Sequence, residues 1–230
     1  MNQTSERLRR AIEATRLGFG VTVQGIEEFT RAVGALGVQA VCVPGIFVGA
    51  ARIAANDVPG WAPEFVTVAN FPTGDHDPQD VLAETQRAAR DGADHIDLVA
   101  PGALVGESRW PAVAEFIRRV REQAEESAGR PLAVKVILET AALDEARIRG
   151  TAEAAIEAGA RWLKTSTGFH PAGGATEEVV RLLRSIAPPE VGVKASGGIR
   201  TREQALRMLD AGADRIGTSS VETILQEPSS

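Results

Sequence analysis

The chain has 230 residues, of which 43% are apolar and 24% are charged, and its acidic residues outnumber its basic residues to give a net charge of -6. This composition predicts one globular domain over residues 1–230, because no linker is visible and a disordered chain would contain fewer apolar residues. Nucleic acids and anionic membranes bind concentrated positive charge, which this chain lacks. We therefore expect its partner to be a small molecule.

The first residues and the single cysteine indicate the compartment. The chain starts with a charged segment that has no apolar core before a cleavage site, so we expect neither a signal peptide nor a membrane anchor. The longest apolar stretch, residues 40–51, is shorter than the roughly 20 residues that span a bilayer. Cys42 is the only cysteine, so no intramolecular disulfide can form. These features predict a cytoplasmic protein.

Short β-branched or apolar runs recur along the chain and predict strands. A first, short run lies near Ala14 to Leu17. The other seven begin at Val38, Phe65, His95, Leu132, Arg161, Val191 and Asp214. Between them, residues 79–92, 112–127 and 203–212 have the apolar periodicity of helices.

The alternation of strand and helix about every 30 residues predicts a parallel sheet. Gly92, Gly159 and Gly212 each end a predicted helix just before a strand, where glycine tolerates a positive φ. A doubly wound open sheet is the alternative, but the chain has no glycine-rich nucleotide-binding motif after an early strand. Eight units in a chain of this length favour a single (β/α)8 TIM barrel.

Lysine is confined to three positions. Of the 25 basic residues only Lys135, Lys164 and Lys194 are lysines, and they are spaced 29 and 30 residues apart on three consecutive predicted strands. Buried lysines usually have a partner, so a buried ion pair at each position is one explanation. The matching positions favour a chemical role instead, because a primary amine can lose its proton and form a Schiff base, which arginine cannot do.

Two features of the predicted barrel would activate such an amine. An apolar environment and a neighbouring cation both lower the pKa of a lysine, and adjacent strands would supply both. Asp97 is a fourth charge on an apolar strand. It is either a counter-ion for a lysine or a proton shuttle.

Three loops after the last strands combine glycine with hydroxyl groups, which suits phosphate oxygens at the mouth of a barrel. Helix capping explains the hydroxyls equally well, since Thr201 with Gln204 and Ser219 with Glu222 match the capping-box pattern. The candidate phosphate-binding residues are Thr167, Gly168, Gly197, Gly198, Gly217, Ser219 and Ser220. His76, His95 and His170 have no metal-ligand spacing, so we expect no metal.

These segments resemble the deoxyribose-phosphate aldolase family, class I aldolases that join acetaldehyde to glyceraldehyde 3-phosphate reversibly. The matching strings are VCV with Cys42, HIDLV with Asp97, VKVILET with Lys135 and Glu139, WLKTSTGF with Lys164, VGVKASGGIRT with Lys194, and DRIGTSS with Gly217 to Ser220. They follow the family order over nearly the whole chain.

The resemblance implies a barrel enzyme that cleaves 2-deoxy-D-ribose 5-phosphate without a metal or other cofactor. It makes Lys164 the Schiff-base lysine, Lys194 the cation that lowers its pKa, and Asp97 the proton relay. Lys135 and Cys42 would support the site. A monomer and a homodimer both remain open.

The first strand and one loop depart from the family pattern. Glu13, Ala14 and Arg16 stand where the family usually has Asp, His and Leu, and the loop after Asp97 is one residue shorter. These changes keep two alternatives open, namely a class I aldolase of the same family acting on another aldehyde pair and a non-catalytic sugar-phosphate-binding protein. An acid–base isomerase would also use phosphate loops, but it would not explain Lys164 beside Lys194.

Overall fold

The computed structural model describes residues 3–226, and these residues form a closed barrel of eight parallel strands. The strands follow one another around the barrel in chain order, and the eighth pairs with the first, with Ile12 opposite Ile216. The predicted (β/α)8 barrel is therefore confirmed. The strands are β1 Ile12–Thr15, β2 Ala40–Cys42, β3 Glu64–Ala69, β4 His95–Val99, β5 Ala133–Ile137, β6 Trp162–Lys164, β7 Gly192–Ser196 and β8 Arg215–Thr218.

The helices surround the barrel. They are α1 Gln3–Ala11, α2 Val23–Ala35, α3 Val48–Ala55, α4 Pro78–Arg90, α5 Gly102–Gly106, α6 Trp110–Ala128, α7 Glu145–Glu157, α8 Glu177–Ile186, α9 Arg202–Asp210 and α10 Val221–Leu225. The three helices predicted from periodicity correspond to α4, α6 and α9. Short 3-10 turns at Gly45–Phe47 and Thr140–Ala142 complete the described elements. In residues 3–226 we find no helix with the length and apolar character needed to cross a membrane.

The predicted position of the first strand was wrong by two residues. Helix α1 ends at Ala11 and β1 begins at Ile12, so no turn residue marks the boundary in the sequence. Strand pairing ends at Thr15, and Arg16 is exposed. The earlier start brings Glu13 into the barrel wall, where it pairs with Ala40 of β2.

Local signals at the helix ends are mostly confirmed. Gly92, Gly159 and Gly212 have φ values of 96°, 85° and 109°, the left-handed conformation expected of glycine after a helix. The capping box of Thr201 with Gln204 is also present.

The capping box predicted for Ser219 with Glu222 does not form. Helix α10 begins at Val221, so Ser220 occupies the N-cap position and its side chain makes no capping hydrogen bond. Its backbone N–H donates to Thr218 Oγ1 at 2.9 Å instead. The helix starts one residue later than the pattern requires, which places Glu222 too early in its first turn to complete the box.

The alternation of side chains along each strand divides the core into two layers. Outward residues such as Ile96, Leu98, Val134 and Val193 pack against the helices. Inside the barrel, Ala40, Cys42, Val66 and Val68 of β2 and β3 form a separate apolar cluster. The charged residues therefore share the interior with an apolar wall.

Candidate active site

Among residues 3–226, five charged side chains are enclosed inside the barrel. Four were singled out in the sequence, and each lies on the inward face of its strand because its neighbours along the strand face the helices. In the strand register, Asp97 lies opposite Lys135 and Lys164 lies opposite Lys194. The enclosed residues, each at most 3% exposed, are Glu13, Asp97, Lys135, Lys164 and Lys194.

Asp97 lies between two of the lysines. Its Oδ2 accepts hydrogen bonds from Lys164 Nζ at 2.8 Å and from Lys194 Nζ at 2.6 Å. Burial would raise the pKa of Asp97, but Lys164, Lys194 and Lys135 outweigh burial and hold that pKa well below its usual range. Asp97 is thus ionised, and the two amines compete for one of its oxygens.

The two competing amines have opposite tendencies to lose a proton. Burial lowers the pKa of Lys164; the Asp97 carboxylate opposes this, and the positive charge of Lys194 adds to the lowering. For Lys194, burial acts in the same direction, but Asp97 and Glu13 reverse it and raise the pKa above its usual value. Lys164 is therefore the amine that deprotonates more readily, and Lys194 remains the cation beside it.

Glu13 is the member of this cluster that sequence reasoning missed. Its Oε2 accepts a hydrogen bond from Lys194, and its Oε1 lies 3.3 Å from Lys135 Nζ. Burial would raise the pKa of Glu13, but Lys135 and Lys194 lower it to about 2. Glu13 was recognised only as a departure from the family pattern. The polar residue between buried Ile12 and Ala14 was the available signal, but it fell just outside the predicted strand.

The charges of the cluster balance when one lysine is neutral. Two carboxylates, Glu13 and Asp97, face three lysine amines, and the lowered pKa of Lys164 makes it the amine that gives up its proton. A net charge enclosed in a protein interior is costly, so this balance favours the deprotonated form of Lys164.

Lys135 lies on the side of the cluster away from the barrel mouth. Its Nζ is 3.3 Å from Glu13 Oε1 and 3.4 Å from Asp97 Oδ1, and it lies 5.9 Å from the centre of the Trp162 ring. Lys135 does not line the cavity above the cluster, whereas Lys164 does. These contacts suit the supporting position expected for Lys135.

A cavity of about 240 Å³ opens at the carboxyl ends of the strands, with Lys164 in its wall. Thr15 and Arg200, which sequence reasoning did not select, also line it. Ser220 instead lines a neighbouring cavity together with Ser219. The predicted loop residues that line the cavity around Lys164 are Thr167, Gly168, Gly197, Gly198, Gly217 and Ser219.

Close backbone packing explains why the loops contain glycine. Gly197 has a φ of 89°, and a Cβ there would lie 2.9 Å from Gly174 Cα. Gly168 and Gly198 have φ values of 82° and 78°. Left-handed backbone without side chains leaves N–H groups accessible to a ligand at the rim.

The loop after β6 is held by Glu139, another residue outside the predicted set. Both the hydroxyl and the backbone N–H of Thr167 donate to Glu139 Oε2, and Thr167 Oγ1 accepts from the N–H of Phe169 at 3.1 Å. Glu139 itself has a φ of 60°, which is uncommon for a residue other than glycine. Glu139 thus orders the loop that carries Gly168.

Two of the singled-out residues lie apart from the cavity. Cys42 is fully buried among apolar side chains, and burial raises the pKa of its thiol to about 11. Arg16 points away from the cavity, which Thr15 and Leu17 line, and its guanidinium carbon lies 5.7 Å from the centre of the Phe29 ring. Of the first-strand departures, Glu13 is therefore the one that enters the charged cluster.

The fold and the enclosed lysines are those of an aldolase barrel, and comparison with known proteins places the chain more closely. The profile described as DeoC/LacD family aldolase matches residues 8–223. The chain belongs to this family.

Named relatives match over nearly their full lengths. The deoxyribose-phosphate aldolase of Kocuria rhizophila is 38% identical over 223 residues, which are 97% of each chain. That of Aquifex aeolicus is 39% identical over 221 residues, 96% of this chain and 95% of its own. Among solved structures, one called "QR15, an Aldolase" is 37% identical with a TM-score of 0.84, covering 95% of this chain and 94% of its own.

Proposed function

We propose that the chain cleaves 2-deoxy-D-ribose 5-phosphate reversibly to acetaldehyde and D-glyceraldehyde 3-phosphate through a Schiff base on Lys164. The carrying observation is a buried amine with a lowered pKa in the wall of a cavity that glycine-rich loops surround. The names of the full-length relatives support the same substrate.

The first step uses the neutral form of Lys164. Its Nζ attacks C1 of the open-chain sugar, and the resulting carbinolamine loses water to give a protonated imine. A proton from solvent, relayed by Asp97, goes to the departing hydroxyl, because the Asp97 carboxylate lies 2.8 Å from Lys164 Nζ. Retaining Lys194 as a cation also keeps Lys164 available in its neutral form.

The second step breaks the bond between C2 and C3. The proton of the C3 hydroxyl passes to Asp97, directly or through a water, and the electrons of the C2–C3 bond move toward the imine nitrogen. D-glyceraldehyde 3-phosphate leaves and an enamine remains on Lys164. Protonation of its C2 and addition of water then release acetaldehyde and restore the amine. Asp97 serves this relay because it is ionised and within hydrogen-bond distance of Lys164 Nζ.

The loops after β6, β7 and β8 bind the phosphate in this proposal. The N–H groups of Gly168, Gly197 and Gly198 and the hydroxyl of Ser219 provide donors, and Arg200 provides positive charge at the same cavity. Such contacts hold the sugar at its far end and place C1 over Lys164, so binding energy distant from the reacting bond contributes to the rate.

Steady-state kinetics on two sugars tests the proposal. We expect kcat/KM for 2-deoxyribose 5-phosphate to exceed that for 2-deoxyribose at least about 100-fold, because two charge-assisted hydrogen bonds contribute about 1.5 kcal/mol each. Inorganic phosphate should compete with the phosphorylated sugar. Lys164→Arg replaces the amine by a permanently charged guanidinium that cannot form an imine, so it should abolish cleavage. Efficient cleavage by this variant would refute the proposal.

The assembly and the location of the chain remain predictions. A structure of the Aeropyrum pernix enzyme, 28% identical with a TM-score of 0.86 over 98% of this chain and 92% of its own, is described as tetrameric. We retain a monomer or homodimer for this chain, which light scattering at several concentrations tests. The cytoplasmic location likewise stays a prediction.

A further inference from the structure

A second cavity of about 500 Å³ lies at the same end of the barrel, beside the one that contains Lys164. Phe169 lines both cavities, so its ring forms part of the wall between them. The ring is 48% exposed and meets Phe71 edge to face, with 5.2 Å between ring centres. A volume of this size is typical of small-molecule sites.

The second cavity is close to the Lys164 amine. Lys164 Nζ on β6 reaches past β5 to Asp97 on β4, at 2.8 Å from Oδ2. Val99 lines the cavity and follows Asp97 on the same face of β4, about 6.6 Å further along at 3.3 Å per residue. The carboxylate bonded to the Lys164 amine therefore lies two residues below Val99 in the wall of this cavity.

The lining favours an uncharged, apolar occupant. Val99, Val105, Leu138 and Leu143 contribute aliphatic surface. The two charged side chains in the lining are already engaged within the protein. Glu139 accepts from Thr167, and Arg147 pairs with Asp144. The carboxylate of Glu139 would also repel a phosphate, which distinguishes this cavity from the loops around Gly168.

The position of the cavity identifies which part of the substrate enters it. The proposed phosphate loops follow β6, β7 and β8, whereas the second cavity lies mainly over the loops that follow β3, β4 and β5. A phosphorylated acceptor is held on the β6–β8 side. A substituent on the donor, the aldehyde bound to Lys164, would extend toward the β3–β5 side.

We propose that the second cavity is a subsite for an apolar substituent on the donor aldehyde, so that the enzyme takes donors longer than acetaldehyde. A donor R–CH2–CHO condenses with the Lys164 amine and releases water. The imine then loses a proton from its α-carbon to Asp97 and becomes an enamine whose R group occupies the cavity. This inference rests on the proposed Schiff base at Lys164.

Borohydride trapping with acetaldehyde, propanal, butanal and pentanal tests the subsite in the full chain. The measured quantity is the aldehyde concentration at which half of Lys164 is reduced to the adduct. Burial of each added methylene should lower this concentration about fourfold. Ala142 is exposed at the cavity rim, so Ala142→Trp should fill the cavity without disturbing the core.

Two substitutions of Ala142 test whether the dependence on chain length arises in the cavity or from the general hydrophobicity of the longer aldehydes. Ala142→Trp should remove the dependence on chain length and change the acetaldehyde value less than twofold, whereas Ala142→Ser should behave as the parent. Leu143→Trp is a second filling variant. The subsite would be overturned if the parent showed no dependence on chain length, or if the dependence persisted in both tryptophan variants. In either case, trapping of acetaldehyde on Lys164 would still support the Schiff base. No adduct on Lys164 with any aldehyde would overturn both.

Discussion

Replacing Glu13 by Gln tests whether the enclosed charges are balanced as the structure indicates. The substitution preserves the size of a fully buried side chain and removes one of the two carboxylates that face Lys135 and Lys194. Breaking a buried ion pair by removing one partner costs about 3–5 kcal/mol, because the remaining charge is left without compensation. We therefore expect Glu13→Gln to lower the free energy of unfolding at pH 7 by about 3 kcal/mol.

The lowered pKa of Glu13 has the same electrostatic cause. Lys135 and Lys194 overcome the effect of burial and lower this pKa from 4.5 to about 2. At about 1.36 kcal/mol for each unit, the folded state gains about 3 kcal/mol from the ionised carboxylate.

The pH dependence separates this effect from a packing defect. A pKa lowered by folding stabilises the protein above the unfolded-state pKa, and this stabilisation is lost as the pH falls through the folded-state pKa. The difference in unfolding free energy between parent and Glu13→Gln should therefore be constant above about pH 6 and decrease between about pH 5 and pH 2.

Urea unfolding from pH 7 to pH 3 measures this difference. Glu203→Gln is a matched control, because Glu203 forms an exposed pair with Arg207, and such pairs contribute less than about 1 kcal/mol. A difference for Glu13→Gln that stays constant down to pH 3 would refute the electrostatic explanation and indicate a packing effect.

Three further predictions concern the cavity and its surroundings. Lys194→Leu should raise the apparent pKa for imine formation on Lys164 and shift the pH–rate profile to higher pH, since it removes a neighbouring cation. An unchanged profile with full activity would show that the role of Lys194 is structural. Gly197→Ala should reduce kcat/KM for the phosphorylated sugar at least tenfold, because the added Cβ would meet the backbone of Gly174. Gly49→Ala is the control and should retain full activity, because a Cβ at Gly49 would meet no atom within 4 Å. Equal kinetics for the two variants would argue against a phosphate-binding loop at Gly197. Cys42 should resist iodoacetamide at pH 7 until the protein unfolds, since burial raises its pKa to about 11; rapid alkylation of the native protein would contradict this.

The sequence contained enough local information for the fold. Each βα unit carries its own signals, such as the apolar run that became β4 and the left-handed Gly92 before it. The lysines were equally visible, because a spacing of one unit places them on neighbouring strands. Lys164 lies opposite Lys194 as expected. Lys135 lies opposite Trp162 instead, two residues before Lys164, so the prediction of matching positions was wrong for Lys135.

Features that depend on contacts between distant segments could not be predicted in the same way. Glu13 was missed because α1 runs into β1 without a turn, so the predicted strand began one residue after it. The hydrogen bond that Thr167 donates to Glu139 joins two loops whose residues are 28 positions apart in the sequence. The second cavity depends on how Phe169 packs beside the loops after β3, β4 and β5, which no local pattern encodes.

Mapping the reduced adduct of a small aldehyde tests the central claim most directly. The protein is incubated with acetaldehyde and borohydride and then cleaved after arginine. Arginines lie between each pair of lysines, so Lys135, Lys164 and Lys194 fall in different peptides. The account predicts the adduct on the peptide that contains Lys164, with less adduct as the pH falls and that amine becomes protonated. An adduct on Lys135 or Lys194, or no adduct at any pH at which the protein is folded, would contradict it.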